Sequence, residues 1–209
     1  MKGNNMHIAI AGNIGSGKTT LAKLLAKHYN WDEQLEDLQD NPYINDFYED
    51  MQRWSFNLQV YFLNARFNSI KKIRSNSNSV IQDRTIYEDA YIFAPNLHAM
   101  GLMSTRDFET YIALFQSLNT MIQAPDLLIY LRASIPALVR QIQQRGRDYE
   151  DSIRLDYLKR LNERYEAWIS TYNLGNIVII DIDELDFINS PEATNQVITK
   201  IETALNGLF

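Results

Sequence analysis

The chain has 209 residues, enough for one domain with a sizeable core, and 45% of them are hydrophobic. The formal net charge of −6 argues against a broad cationic face for nucleic acid, and the absence of cysteine excludes disulfides, thiolate metal sites and cysteine nucleophiles. No apolar run approaches the roughly 20 residues of a membrane span, and the first apolar stretch is too short for a signal peptide. We therefore expect an intracellular protein that binds neither membrane nor nucleic acid.

Short apolar runs alternate with longer segments of helical periodicity along the chain. This order predicts an α/β fold in a single domain over residues 1–209, with a central parallel sheet of about five strands flanked by helices. In chain order we expect a strand at residues 7–11, a helix at 18–28, a strand before residue 35, helices at 44–51 and 53–74, a strand at 79–82, helices at 87–100 and 105–123, a strand at 126–131, helices at 134–145 and 152–172, a strand at 176–182 and a last helix from 191 to about 205.

Ligands bind at the carboxyl ends of the strands in such sheets, so the loop after the first strand is a candidate site. It reads AGNIGSGKT over residues 11–19 and matches the phosphate-loop pattern G-x-x-x-x-G-K-[ST]. Backbone amides of such a loop wrap a phosphate, the lysine reaches the β and γ phosphates, and the hydroxyl after it ligates Mg²⁺. The sequence therefore predicts a nucleoside triphosphate site formed by Gly12, Asn13, Ile14, Gly15, Ser16, Gly17, Lys18, Thr19 and Thr20.

Two charged residues, Asp83 and Arg84, directly follow the strand predicted at residues 79–82. An acid at this place is suited to share a Mg²⁺ ion with Thr19, and the arginine is suited to hold a transferring phosphate or an acceptor oxygen. The alternative is a structural ion pair at a helix start.

Arg145 and Arg147 flank a glycine at the end of a predicted helix. Paired arginines on a short segment, about residues 143–151, suit a lid that closes on phosphates and stabilises transition-state charge. The alternative is a solvated helix end whose cations interact with the helix dipole.

The predicted helix at 53–74 places Gln59, Phe62 or Leu63, and Arg66 on one face. An amide, an aromatic ring and a guanidinium together suit a flat heterocycle. The alternative is an amphipathic helix whose polar residues face water.

Several acids follow the second predicted strand, and one of them is suited to act as general base for a hydroxyl group. Glu36 is the first candidate, and Glu33, Asp37 and Asp40 compete with it.

The motifs together resemble the deoxynucleoside kinases, in particular the bacterial deoxyadenosine/deoxyguanosine kinase type. The resemblance covers essentially the whole chain and rests on GNIGSGKTTLAKLLA, DNPY, FYEDMQRWSFNLQVYFLNARF, DRTIYEDAYIFA and RGRDYE in that order. It implies a P-loop kinase fold with an arginine-bearing lid, ATP as phosphoryl donor, Mg²⁺, a cytoplasmic location and a homodimer through the helices after residues 53 and 105.

The resemblance also implies roles for individual residues. Glu36 falls on the family's general base, although Asp37 stands where proline is usual, and Gln141 stands where many members have a further lid arginine, with Arg140 beside it. DELDF, at residues 183–187, resembles the loop near the ATP adenine. The resemblance further implies that Asp83 organises Mg²⁺ and that Arg84 contacts the acceptor 5′-hydroxyl region and the base. It implies that Tyr48 and Glu150 bind the sugar 3′-hydroxyl, and that the nucleobase edge is bound by Gln59, Arg66 and Asp89. Arg145 and Arg147 would be the lid arginines.

The reaction implied is transfer of the γ-phosphoryl of ATP to the 5′-hydroxyl of a deoxynucleoside. Within the resemblance, Ala90 and the long helix that contains NARF favour a purine, deoxyadenosine first, with deoxyguanosine or deoxycytidine open. A monophosphate kinase of the thymidylate type is the nearest alternative, but Glu36 and Glu150 would repel an acceptor phosphate. A non-enzymatic P-loop nucleotide-binding module is the second alternative, and it would not need Gln59, Arg66 and Asp89 to converge.

Overall fold

The computed structural model describes residues 5–36, 41–146 and 153–207. Its centre is a five-stranded sheet in the order β2-β3-β1-β4-β5, in which every neighbouring pair is parallel. This confirms the predicted parallel sheet. The strands are β1 (His7–Gly12), β2 (Asp32–Gln34), β3 (Val80–Asp83), β4 (Leu127–Arg132) and β5 (Asn176–Asp181).

Helices connect the strands and cover both faces of the sheet. Their predicted positions are confirmed to within a few residues at most ends. The helices of the described ranges are α1 (Lys18–Tyr29), α2 (Ile44–Glu49), α3 (Met51–Ser75), α4 (Ile86–Glu88), a π-helical segment (Asp89–Phe93), α5 (Ala94–Ala99), α6 (Thr105–Asn119), α7 (Ile135–Arg145), α8 (Leu155–Ser170) and α9 (Pro191–Asn206).

Two predicted helices differ from the structure in an informative way. The prediction that α6 extends to residue 123 is wrong: Met121 and Ile122 continue an apolar pattern, but Met121 is exposed and the chain already turns towards β4. The predicted helix at 87–100 is interrupted by the π-helical segment Asp89–Phe93. Such segments are rare and occur frequently at functional sites.

Strand β1 separates two hydrophobic clusters because successive side chains point to opposite faces of a sheet. Ile8 and Ile10 pack with α1 and α9 on one face. Ala9 and Ala11 face the other side, and their small side chains leave room for a cluster rich in buried aromatic residues from the π-helical segment, α6 and α8. The phosphate loop follows directly from this buried strand, which holds it in place.

Helix α3 carries polar residues into the larger cluster. Asp50 caps its first turn by accepting a hydrogen bond from the backbone N–H of Arg53 at 3.0 Å. Gln59 and Arg66 are both buried in the middle of the helix. Buried polar groups need partners, so this face of α3 lies against a polar site and not against core.

The buried imidazole of His7 makes stability depend on pH. Its Nε2 lies 2.7 Å from Oε1 of Gln82, and burial lowers the pKa of His7 to about 4, although the contact with Gln82 acts in the other direction. The unfolded chain therefore binds a proton at higher pH than the folded chain. This contribution to stability is complete above the unfolded pKa of 6.5 and is lost as the pH falls towards 4.

We expect the free energy of unfolding to fall by about 2 kcal/mol from this residue alone between about pH 7 and pH 5. Urea denaturation of the wild type and of His7→Gln at the two pH values measures the difference. Asp89 also titrates in this pH range and in the opposite sense, but it is present in both proteins, so the difference between them isolates His7. An equal loss of stability in both proteins would contradict the assignment.

None of the helices in the described residues has the length and apolar character of a membrane-spanning segment.

Candidate active site

A cavity of about 440 Å³ lies at the carboxyl ends of β1 and β3. The phosphate loop forms one end of the cavity, and α3 forms one of its walls. The polar residues that follow β1 and β3 both line it, because the carboxyl ends of parallel strands lie at the same edge of the sheet. Residues predicted for the site that line this cavity are Ile14, Gly15, Lys18, Thr19, Glu36, Tyr48, Gln59, Phe62, Asp83, Arg84, Asp89 and Arg145.

Lys18 lies at the centre of the phosphate loop and is buried. Its Nζ donates to the backbone oxygen of Asn13 at 2.9 Å. Burial lowers the pKa of Lys18 to about 7, and Arg84 adds to this effect. The ammonium therefore lacks a full counter-charge here, and an anionic phosphate would supply one.

The loop backbone is shaped by glycine where α7 approaches it. Gly15 has a φ of 84°, and a Cβ there would lie 2.8 Å from Cγ1 of Ile142 and 2.9 Å from the backbone oxygen of Leu138. Only glycine avoids both the backbone strain and this contact. The absence of a side chain at Gly15 thus lets α7 pack closely against the loop.

Other loop residues predicted to bind the triphosphate have different surroundings. The side chain of Asn13 donates to the backbone oxygen of Leu158 and to Asn162, each at 3.2 Å, which ties the loop to α8. The side chain of Ser16 is buried, and Thr20 is exposed on α1 outside the cavity. Gly12 and Gly17 contribute backbone shape and do not line the cavity.

Thr19 and Asp83 bring two side-chain oxygen groups together at the base of the loop. The Thr19 hydroxyl donates to Oδ2 of Asp83 at 2.5 Å, and β1 and β3 place Asp83 opposite Ile10. Oδ1 of Asp83 is buried and has no hydrogen-bond partner among the described residues. One carboxylate and one hydroxyl fit Mg²⁺, which prefers oxygen and completes its shell with water and phosphate.

Glu36 is in contact with two arginines. Its Oε1 forms a close ion pair with Arg66, and its Oε2 lies 3.6 Å from Nε of Arg84. Burial would raise the pKa of Glu36, but Arg66, Arg84 and Lys18 outweigh it and lower the pKa to about 2. The carboxylate is therefore ionised at neutral pH, the form that a general base requires.

Helix α3 presents an amide and an aromatic ring to the cavity, and the neighbouring π-helical segment adds the carboxyl group of Asp89. Gln59 and Phe62 line the cavity, whereas Arg66 lies behind them and donates from Nε to Oδ2 of Asp89 at 3.3 Å. Leu63, the alternative to Phe62, is buried in the core. Burial raises the pKa of Asp89 to about 7 against the opposing effect of Arg66.

The predicted lid is described in part. Arg145 is the last residue of α7 and lines the cavity before a left-handed Gly146. A smaller cavity of about 200 Å³ lies between α7 and the β5–α9 loop, with Arg140 and Gln141 on one side and residues 182, 183 and 185–189 on the other. Arg147, Glu150, Asp37 and Asp40 lie outside the described residues.

Two buried residues beneath the cavity were not predicted. Glu88 accepts a hydrogen bond from the hydroxyl of Tyr165 at 2.8 Å and is fully buried. The T-I-Y-E pattern at 85–88 is a readable capping-box signal, and the structure contains that box. Nothing in the local sequence links Glu88 to Tyr165, which lies 77 residues further along the chain.

A phosphate loop at the carboxyl end of a parallel sheet, opening into a cavity that also holds Glu36 and the polar face of α3, is the arrangement of a P-loop kinase. The deoxynucleoside kinase family model matches residues 8–206, and the chain belongs to this family. It is therefore an enzyme that phosphorylates deoxynucleosides.

Named relatives match over most of this chain. The chain is 38% identical over 205 residues to the deoxyadenosine/deoxycytidine kinase of Bacillus subtilis, covering 97% of this chain and 94% of that one. It is 42% identical over 192 residues to the deoxyadenosine kinase of Dictyostelium discoideum, covering 92% and 77%. A structure of the M. mycoides deoxyadenosine kinase with bound dATP matches with a TM-score of 0.83 at 27% identity, covering 95% and 100% of the chains.

Proposed function

We propose that the chain transfers the γ-phosphoryl group of ATP to the 5′-hydroxyl of deoxyadenosine, for nucleotide salvage. The observation that carries this proposal is that Lys18 of the phosphate loop and the Glu36 carboxylate line one continuous cavity. Donor and acceptor can therefore meet within one cavity. The whole chain, residues 1–209, acts as one catalytic domain.

The donor half of the site holds the triphosphate. The loop amides and Lys18 bind its β and γ phosphates, and Arg145 and Arg147 supply positive charge from the lid. Thr19 and Asp83 would hold Mg²⁺, which neutralises phosphate charge when bound. The β5–α9 loop and the small cavity beside Gln141 would receive the adenine of ATP.

The acceptor half positions the 5′-hydroxyl. Glu36 accepts its proton, while Arg84 holds the acceptor oxygen near the transferred group. Tyr48 and Glu150 bind the sugar 3′-hydroxyl. Arg66 lies behind the cavity wall and pairs with Glu36, which does line the cavity. An arriving nucleobase draws Arg66 towards its own edge and leaves the carboxylate free for the hydroxyl.

Gln59 and Asp89 read the nucleobase edge, with Phe62 against its face. The Oε1 atom of Gln59 is buried and has no hydrogen-bond partner among the described residues, so a base with a donor satisfies it. Asp89, with a pKa near 7, presents acceptors and in part a proton donor. An adenine amino group beside a ring nitrogen matches this pair, and the two named relatives support deoxyadenosine.

The test is a coupled kinase assay against the four deoxynucleosides and deoxyadenosine monophosphate. We expect kcat/KM for deoxyadenosine to exceed that for thymidine on the order of tenfold or more, because a mismatched base leaves buried polar groups unpaired. Equal rates on thymidine would contradict the purine assignment. Faster turnover of the monophosphate would favour a monophosphate kinase instead.

We propose in addition a cytoplasmic homodimer through α3 and α6. The two helices pack against each other, and Leu114 and Met121 expose apolar side chains on and beside α6.

A further inference from the structure

Glu88 is a fully buried carboxylate beneath the cavity, and both of its oxygens accept hydrogen bonds. Its Oε2 accepts from the backbone N–H of Thr85 at 2.6 Å and from the Thr85 hydroxyl at 3.1 Å. This half of the carboxylate closes the capping box of α4, a role that many helix starts require. The capping box does not account for the contacts of the other carboxylate oxygen, Oε1.

Oε1 of Glu88 joins three separate parts of the fold. It accepts from the backbone N–H of Gly12, the last residue of β1, at 3.2 Å. It also accepts from the hydroxyl of Tyr165 on α8 at 2.8 Å, and that hydroxyl accepts from Nη1 of Arg84 at 3.1 Å. One chain of hydrogen bonds thus runs from Arg84 through Tyr165 and Glu88 to the start of the phosphate loop.

Arg84 needs such support. Its φ of 67° is uncommon for a residue other than glycine, so its backbone is held by its surroundings. Its guanidinium lies over the ring of Phe93 at 4.6 Å, a contact that restrains its plane but not its direction. Its Nη1 donates to the Tyr165 hydroxyl at 3.1 Å and lies 3.7 Å from Oε1 of Glu88, so both residues hold this end of the guanidinium.

We propose that Glu88 and Tyr165 are positioning residues for phosphoryl transfer. They set the distance and direction of the Arg84 guanidinium relative to the phosphate loop, so that donor and acceptor groups are aligned before the substrates bind. Neither side chain lines the cavity, so both act through Arg84 and Gly12 and not on the substrate. The inference rests on the role proposed above for Arg84.

The decisive variant is Tyr165→Phe, which removes one hydroxyl and keeps the ring stacked on Tyr130. We expect kcat to fall on the order of 10- to 100-fold, because small displacements of a reacting group reduce rates strongly. The KM values for ATP and deoxyadenosine should stay within about twofold of wild type. Tyr172→Phe is the matched control: its hydroxyl is buried without a hydrogen-bond partner among the described residues, and its removal should leave kcat unchanged.

A double-mutant cycle separates positioning from general support of the fold. In an Arg84→Lys background, Tyr165→Phe should cause no further loss of kcat, because the group that it positions is gone. A fully additive loss would overturn the proposal. So would a Tyr165→Phe enzyme whose kcat lies within about twofold of wild type while its melting temperature falls.

Glu88→Gln provides a second variant should Tyr165→Phe not fold. It keeps the shape of the side chain and should show the same fall in kcat with little change in KM; a change in KM alone would contradict positioning. If the wild-type chain consumes no ATP with any deoxynucleoside, the proposed function fails. If the wild type is active and both variants match it, only this inference fails.

Discussion

Replacing Glu36 with glutamine is expected to lower kcat by about 10²- to 10³-fold or more while deoxynucleoside binding persists. The carboxylate is held ionised by Arg66, Arg84 and Lys18, which lower the pKa of Glu36 to about 2 against the effect of burial. Glutamine keeps the shape and the acceptor oxygen but cannot take a proton. Steady-state kinetics with deoxyadenosine and calorimetric titration of the nucleoside measure the two effects separately.

Glu33→Gln is the control for this variant. Glu33 is exposed on β2 and lies outside the cavity, so its loss should leave kcat near wild type. A Glu36→Gln enzyme with nearly wild-type kcat would assign the base to another acid, and Asp37 and Asp40 would be the next residues to replace. Thermal unfolding of both variants guards against loss of activity through loss of the fold.

The donor half of the site could be predicted from the sequence because its signals are local. The spacing from Gly12 to Thr19 specifies a loop between a strand and a helix, and the carboxyl ends of parallel strands meet at one edge of the sheet. Asp83 therefore had to lie near Thr19, and the structure places the two side chains in contact. No knowledge of distant contacts was needed for this step.

The acceptor half could be predicted only in part, because its contacts join distant parts of the chain. Helical spacing put Gln59, Phe62 and Arg66 on one face, yet the long side chain of Arg66 turns to Glu36 and Asp89 and does not line the cavity. The link from Glu88 to Tyr165 spans 77 residues and depends on how α8 crosses the sheet. Spacing within one element does not determine such a contact.

Replacing Lys18 with methionine is expected to lower the activity while leaving the stability unchanged or higher. We expect kcat to fall on the order of 10³-fold, because the lysine supplies charge to the phosphates in the transition state. The melting temperature should equal or exceed that of wild type. The buried ammonium has its pKa lowered to about 7 by burial and by Arg84, so an uncharged side chain of similar length relieves an unfavourable burial.

Lys27→Met is the matched control, since Lys27 is exposed in the last turn of the same helix and should affect neither quantity. Coupled-assay kinetics and differential scanning calorimetry on the three proteins provide the comparison. A Lys18→Met enzyme that is inactive and also less stable would mean that the lysine supports the loop through its bond to Asn13 and not only the phosphates. An inactive but stable enzyme would show that the loop keeps its shape without the charge, so that the positive charge itself serves the transferred phosphoryl group.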